Sequence, residues 1–86
     1  MAEREIGFIA NYFKKISVAA IEITDGSVSV GDTLHFVGNT TDCQLIVESM
    51  QIEHESVPEA KKGDGIGLKV PEKVRRGDKV FKVVED

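Results

Sequence analysis

The chain has no tryptophan, one tyrosine, one cysteine and two prolines in 86 residues. A single cysteine excludes an intramolecular disulfide. No apolar run approaches the about 18 residues of a membrane span. The opening Met1-Ala2-Glu3-Arg4-Glu5-Ile6 lacks the apolar centre of a secretion signal. Together these absences lead us to expect a cytoplasmic chain, kept reduced and off the membrane, in which the sequon Asn39-Thr40-Thr41 is idle. Catalytic motifs are equally scarce. No Gly-x-x-x-x-Gly-Lys-Ser/Thr stretch cradles a phosphate, and His54-Glu55 has no second histidine one helical turn on. His35, Cys43 and His54 are the soft metal ligands available, and their spacing matches no zinc template. Ser17, Ser27, Ser29, Ser49 and Ser56 stand beside no histidine and acid that would make a triad. We therefore expect no cofactor, no metal and no enzyme.

What the chain does have is a Gly-Asp step in three copies, each leading into an apolar run: Gly31-Asp32, Gly63-Asp64 and Gly77-Asp78. Glycine takes up the positive φ of a tight turn, and aspartate can hydrogen-bond the backbone two residues on, so each step reads as the start of a strand. Arg76-Gly77-Asp78, an integrin-recognition tripeptide elsewhere, reads as the third of these turns. Length allows one domain over residues 1–86, and 41% apolar residues supply a core.

Strands are expected over 5–14, 15–23, 28–30 running through the first Gly-Asp step into 33–37, 43–54, 64–70 and 79–84. In 15–23 the apolar positions shift from Ile16, Val18 and Ala20 to Ile21 and Ile23, which predicts a bulge near Ala19-Ala20. A similar slip at Glu48-Ser49 predicts a second bulge in 43–54. Two bent strands in a short all-β chain favour closure into a barrel. Thr24-Asp25-Gly26-Ser27 is a turn, and Pro58-Glu59-Ala60-Lys61-Lys62 is the one helix-like stretch. If His35 and Cys43 alternate, Cys43 points inward and His35 toward solvent. Gly38-Asn39-Thr40-Thr41-Asp42 reads as a polar turn between strands, or as a docking loop.

Charge is unevenly spread. Residues 1–57 carry three Lys/Arg against nine Asp/Glu, and residues 58–86 carry eight against six, within a net charge of −4. Because charges more than roughly 8 Å apart are screened at physiological salt, a basic patch can act on an acidic protein. Lys61, Lys62, Lys73, Arg75 and Arg76, with Lys79 and Lys82 nearby, form the candidate patch. Its lysines and arginines suit phosphate contacts, with His54 or Tyr12 available to stack on a base. The bland alternative is a solvated set that guards strand edges.

The order Val28-Ser29-Val30-Gly31-Asp32-Thr33-Leu34, Val47-Glu48-Ser49-Met50-Gln51-Ile52, Lys62-Gly63-Asp64-Gly65-Ile66-Gly67-Leu68 and Arg75-Arg76-Gly77-Asp78-Lys79-Val80 resembles the second domain of translational GTPases such as elongation factor Tu. The resemblance covers nearly the whole chain. It is similar as well to stand-alone translation elongation factor-like proteins, and a similar barrel is appended to some U32-type peptidases. The resemblance implies a small closed six-stranded β-barrel of the translation-factor second-domain type. It also implies a binding strip for the aminoacylated end of tRNA that includes Gln51, His54 and Glu55. Three functions stand side by side: a barrel binding tRNA or ribosomal RNA; an adaptor docking on a ribosomal, GTPase or peptidase partner; and the specificity barrel of a peptidase. The expected RNA-binding set is Lys61, Lys62, Lys73, Arg75, Arg76, Gln51 and His54. Gly31, Asp32, Gly63, Asp64, Gly77 and Asp78 are the expected structural turns.

Overall fold

The computed structural model describes residues 2–84 and is all β. Ten strands run in chain order: β1 (Ala2–Phe13), β2 (Val18–Ile23), β3 (Ser27–Ser29), β4 (Thr33–Val37), β5 (Asp42–Ile46), β6 (Met50–Ile52), β7 (Glu55–Val57), β8 (Glu59–Lys61), β9 (Gly65–Lys69) and β10 (Lys79–Val84). Eight form one antiparallel sheet in the order β5-β4-β10-β1-β2-β9-β6-β7, and β3 pairs with β8 as a separate ribbon. Among the described residues no helix is long and apolar enough to cross a membrane.

Alternation builds the core. In β4, Leu34 and Phe36 are buried while Thr33, His35 and Val37 are not; in β9 the buried pair is Ile66 and Leu68. Ile6, Ile9, Ile21, Ile23 and Val80 join them from the central strands, and Val28 and Ala60 enter from the β3–β8 ribbon. With Met50, Val47 and Val74 these side chains make one apolar cluster under both sheets.

Several expectations are corrected here. The sheet does not close into a barrel. The stretch expected as one long strand, 43–54, leaves the ladder at Val47–Ser49, and its second half pairs with β9 through Gln51↔Gly67 alone. That break, rather than a bulge, absorbs the phase slip at Glu48-Ser49, and β5 and β7 are left as sheet edges. The other slip also has a different origin. The inward face of β2 is Ala19, Ile21 and Ile23, and Ile16 sits in the preceding turn, exposed. The extra residue lies on the partner strand: register shifts between Ile9 and Asn11, opposite Ile21 and Ala20, so Ala10 is the unpaired residue. A second shift between Glu5 and Gly7 lets β1 bend, pairing first with β10 and then with β2. The helix-like stretch Pro58–Lys62 is instead strand β8, because burying Ala60 opposite Val28 outweighs the weak helical preference of five residues.

Candidate functional site

The three Gly-Asp steps adopt one geometry. Gly31, Gly63 and Gly77 have φ of 99, 97 and 92°. In each, the aspartate N–H donates to the carbonyl three residues back: Asp32 to Ser29 at 3.0 Å, Asp64 to Lys61 at 2.9 Å and Asp78 to Arg75 at 3.1 Å. Glycine at the third position of such a turn makes it type II. The aspartate carboxylate then accepts the N–H of the turn's first residue, at 2.7, 3.0 and 2.8 Å respectively. The carboxylate thus reaches back three residues, not forward, and closes the turn from both sides. Asp78 is 7% exposed, so Arg76-Gly77-Asp78 offers no free carboxylate.

This geometry also locates the basic residues. Lys61-Lys62 and Arg75-Arg76 are the first two positions of two of these turns, all exposed, as is Lys73. They are turn residues whose backbone role is fixed by the aspartates. Gln51 and His54 lie elsewhere, on and just after β6, and line a groove with Phe13, Ile16, Val18 and Gly67.

That groove was not legible in the sequence. Its floor is small, with Ala10, Ala20, Gly65 and Gly67 on three neighbouring strands. Its walls are apolar: Phe13 is 46% and Ile16 61% exposed. Two turns flank it, and both carry non-glycine residues in the left-handed region: Ser17 (φ 55°) after Ile16, and Glu53 and His54 (φ 50° and 68°) at the β6–β7 tip. A two-residue hairpin loop with two positive φ values is ordinarily Asn-Gly. Glutamate and histidine in that place raise the backbone energy, a feature that concentrates at binding surfaces. The absence of glycine, asparagine or proline between Ile52 and Glu55 hid this turn from sequence reasoning.

On the opposite half of the sheet, His35 is held between two carboxylates. Nδ1 lies 2.8 Å from Glu3 and Nε2 2.5 Å from Asp42, joining β1, β4 and β5. Both ring nitrogens must donate to satisfy both partners, which requires the imidazolium. The hydrogen bond to Asp42, foremost, raises the His35 pKa above its ordinary value, against the opposing effect of burial. His35 is thus half-buried and engaged rather than facing open solvent, while Cys43 is buried at 7% exposure, with its thiol pKa pushed up by that burial. Among the described residues no group of three or more His, Cys, Asp or Glu could hold a metal ion.

A cleft opens beside β5. Its lining includes Gln44, Leu45, Ile46 and Glu48 from β5 and the residues after it, Leu68, Lys69, Val70 and Pro71 from the end of β9 and the residues after it, and Glu3, Asp32 and Val83. Lys82 reaches Asp32 at 3.2 Å and ties β10 to the first turn.

No family model matches the chain. Curated relatives do. A protein of Methanocaldococcus jannaschii named as an uncharacterised protease is 45% identical over 82 residues, which is 94% of this chain and 20% of the relative. A collagenase of Porphyromonas gingivalis is 36% identical over 78 residues, 90% of this chain and 22% of the collagenase. The chain therefore spans about a fifth of the length of the curated relatives it matches. Two crystal structures of the C-terminal domain of a Geobacillus thermoleovorans protein, described as a U32 peptidase, share the fold. Their TM-scores are 0.83 and 0.85 at 15 and 16% identity, covering 90 and 93% of this chain and 96 and 92% of theirs.

These findings overturn the translation reading. The relatives carry protease and collagenase names, not elongation-factor names, so the reading as a translational RNA-binding barrel does not stand, and the expectation of no enzyme is corrected to similarity with proteins named as peptidases. The reason is physical. The stretches that carried the elongation-factor resemblance are mostly Gly-Asp turns, and such a turn satisfies its own backbone. It reports a fold and not a ligand.

Proposed function

We propose that this chain is the C-terminal-type β domain of a U32 peptidase-family protein, and that it docks on the remainder of that peptidase. The identity of 45% over 82 residues to the M. jannaschii protease, of which those residues are a fifth, carries the reading. The fold shared with C-terminal domains from G. thermoleovorans supports it.

The docking face is the groove of Phe13, Ile16, Val18, Ala20 and Gly67. Its half-exposed aromatic and aliphatic walls over a small-residue floor are what a partner side chain needs for burial, and the raised hairpin Glu53-His54 sets its rim. The lone thiol Cys43 agrees with a reducing compartment, and we keep the cytoplasm as the place of action.

Sedimentation velocity tests this. The P. gingivalis collagenase lacking its matched 78-residue segment is mixed with this chain. A saturable complex is expected, lost when Phe13→Ser and Ile16→Lys are combined. No complex with the parent chain would overturn the reading.

A further inference from the structure

We infer that the free edge of β5 is a β-strand-addition site for an extended, basic and apolar segment of the peptidase's polypeptide substrate. This rests on the peptidase reading above, and it concerns a surface separate from the docking groove.

The register of β4 and β5 fixes which backbone groups are free. Gly38 and Thr41 exchange both backbone hydrogen bonds, N–H to carbonyl at 2.8 and 3.4 Å. At the other end the Val47 N–H donates to Asp32 at 2.8 Å. In an antiparallel pair, bonded and non-bonded positions alternate. The pairs Phe36↔Cys43 and Leu34↔Leu45 are therefore the bonded ones. Asp42, Gln44 and Ile46 turn their N–H and C=O groups away from β4, to the side where the described sheet ends.

Natural edges are blunted by lysine, proline, a bulge or covering chain. β5 has none of the first three: its sequence is Asp-Cys-Gln-Leu-Ile in unbroken register. It even presents Ile46 at 64% exposure. Beside this edge lies the cleft, with Leu45, Leu68 and Val70 on its walls. A strand laid along β5 would form main-chain bonds to Asp42, Gln44 and Ile46. Its alternate side chains would enter the apolar cleft and the rest would lie over Gln44 and Ile46.

Charge selects the occupant. Glu3, Asp32 and Glu48 line the cleft against Lys69, and Asp42, 83% exposed at its side chain, starts the edge. The His35 imidazolium sits between Glu3 and Asp42, so with Lys82 on Asp32 four carboxylates face three cations and one negative charge is in excess. A second copy would bring the same carboxylates to the same cleft within a chain of net charge −4, which disfavours self-pairing. A segment bearing lysine or arginine is complementary. Three residues' worth of edge bonds suit a segment that is bound and released rather than a permanent interface.

The probe is the peptide acetyl-Lys-Val-Lys-Val-Lys-Val-Lys-amide, titrated into the ¹⁵N-labelled chain. Shifts centred on the amides of Asp42, Gln44 and Ile46 are expected, with the Glu-Val counterpart binding about tenfold more weakly. Two further peptides carry N-methyl groups on either the valine or the lysine nitrogens. Strand addition requires that one pattern abolish binding and the other leave it. Gln44→Pro removes an edge N–H that β4 does not use and should abolish binding, whereas Gln44→Ala should retain it. Equal effects of the two methylation patterns, or shifts away from β5, would overturn the inference. If the peptide fails while the chain still joins the truncated collagenase, this inference alone falls. If neither binds, the peptidase reading falls with it.

Discussion

Gly63 and Gly65 stand two residues apart and should respond oppositely to the same substitution. Gly63 has φ of 97°, and a Cβ built there meets nothing within 4 Å. The cost of Gly63→Ala is therefore backbone strain alone. The left-handed region costs an L-residue roughly 1–2 kcal/mol. Alanine returns about 0.4–1 kcal/mol by restricting the unfolded chain, so a net loss of about 1 kcal/mol is expected. For a domain of this size that lowers Tm by about 4–8 °C. Gly65 lies outside the left-handed region, and its nearest neighbour to a new Cβ is the Ile21 carbonyl oxygen at 4.0 Å. Gly65→Ala should thus be neutral or raise stability by up to about 1 kcal/mol. Differential scanning calorimetry of both variants beside the parent makes the comparison. Equal melts for Gly63→Ala and the parent, or an equal fall in both variants, would refute the turn assignment.

The aspartates of the turns should differ by burial. Asp78→Ala orphans a part-buried Arg75 N–H and should cost about 1–3 kcal/mol. Asp64→Ala frees the exposed Lys61 N–H to water and should cost less in urea titrations. His35 should make stability fall as pH rises. Its folded pKa is raised above 6.5, so its contribution is complete below that value and is lost as pH climbs through the folded pKa. Urea midpoints of parent and His35→Gln from pH 5.5 to 8.5 should converge toward the alkaline end, and parallel curves would contradict the Glu3–His35–Asp42 link. Cys43, buried and with a raised thiol pKa, should react with a disulfide reagent only after unfolding, and rapid labelling of the native chain would refute its inward position.

The fold was legible where chemistry is local. Each Gly-Asp step announces its own turn, and the apolar alternation of Thr33–Val37 and Gly65–Lys69 announces a strand and its inner face. Features belonging to two partners at once were not legible. A phase slip near Ala20 shows that a ladder is irregular, but whether the extra residue sits there or at Ala10 depends on the register between strands. Closure failed to follow from bent strands because it hinges on whether 47–49 stays in the ladder, a long-range property. Ala60 sits in a stretch of helical composition and is drawn into β8 by Val28, more than thirty residues earlier. The groove was missed because Phe13, Ile16, Gln51 and His54 are assembled from separate strands and turns, and because an Ile-Glu-His-Glu hairpin carries no turn signature. Function was misread because the Gly-Asp turns satisfy their own backbone and so report a fold rather than a ligand.

The central claim, that this chain serves a U32-type peptidase, is tested most directly by exchange. In the P. gingivalis collagenase the matched 78-residue segment is replaced by this chain, and collagen cleavage is compared with that of the parent and of the form lacking the segment. The account predicts that the exchange restores cleavage toward the parent rate, and that Phe13→Ser with Ile16→Lys removes the restoration. A folded exchange protein no more active than the deletion would contradict it.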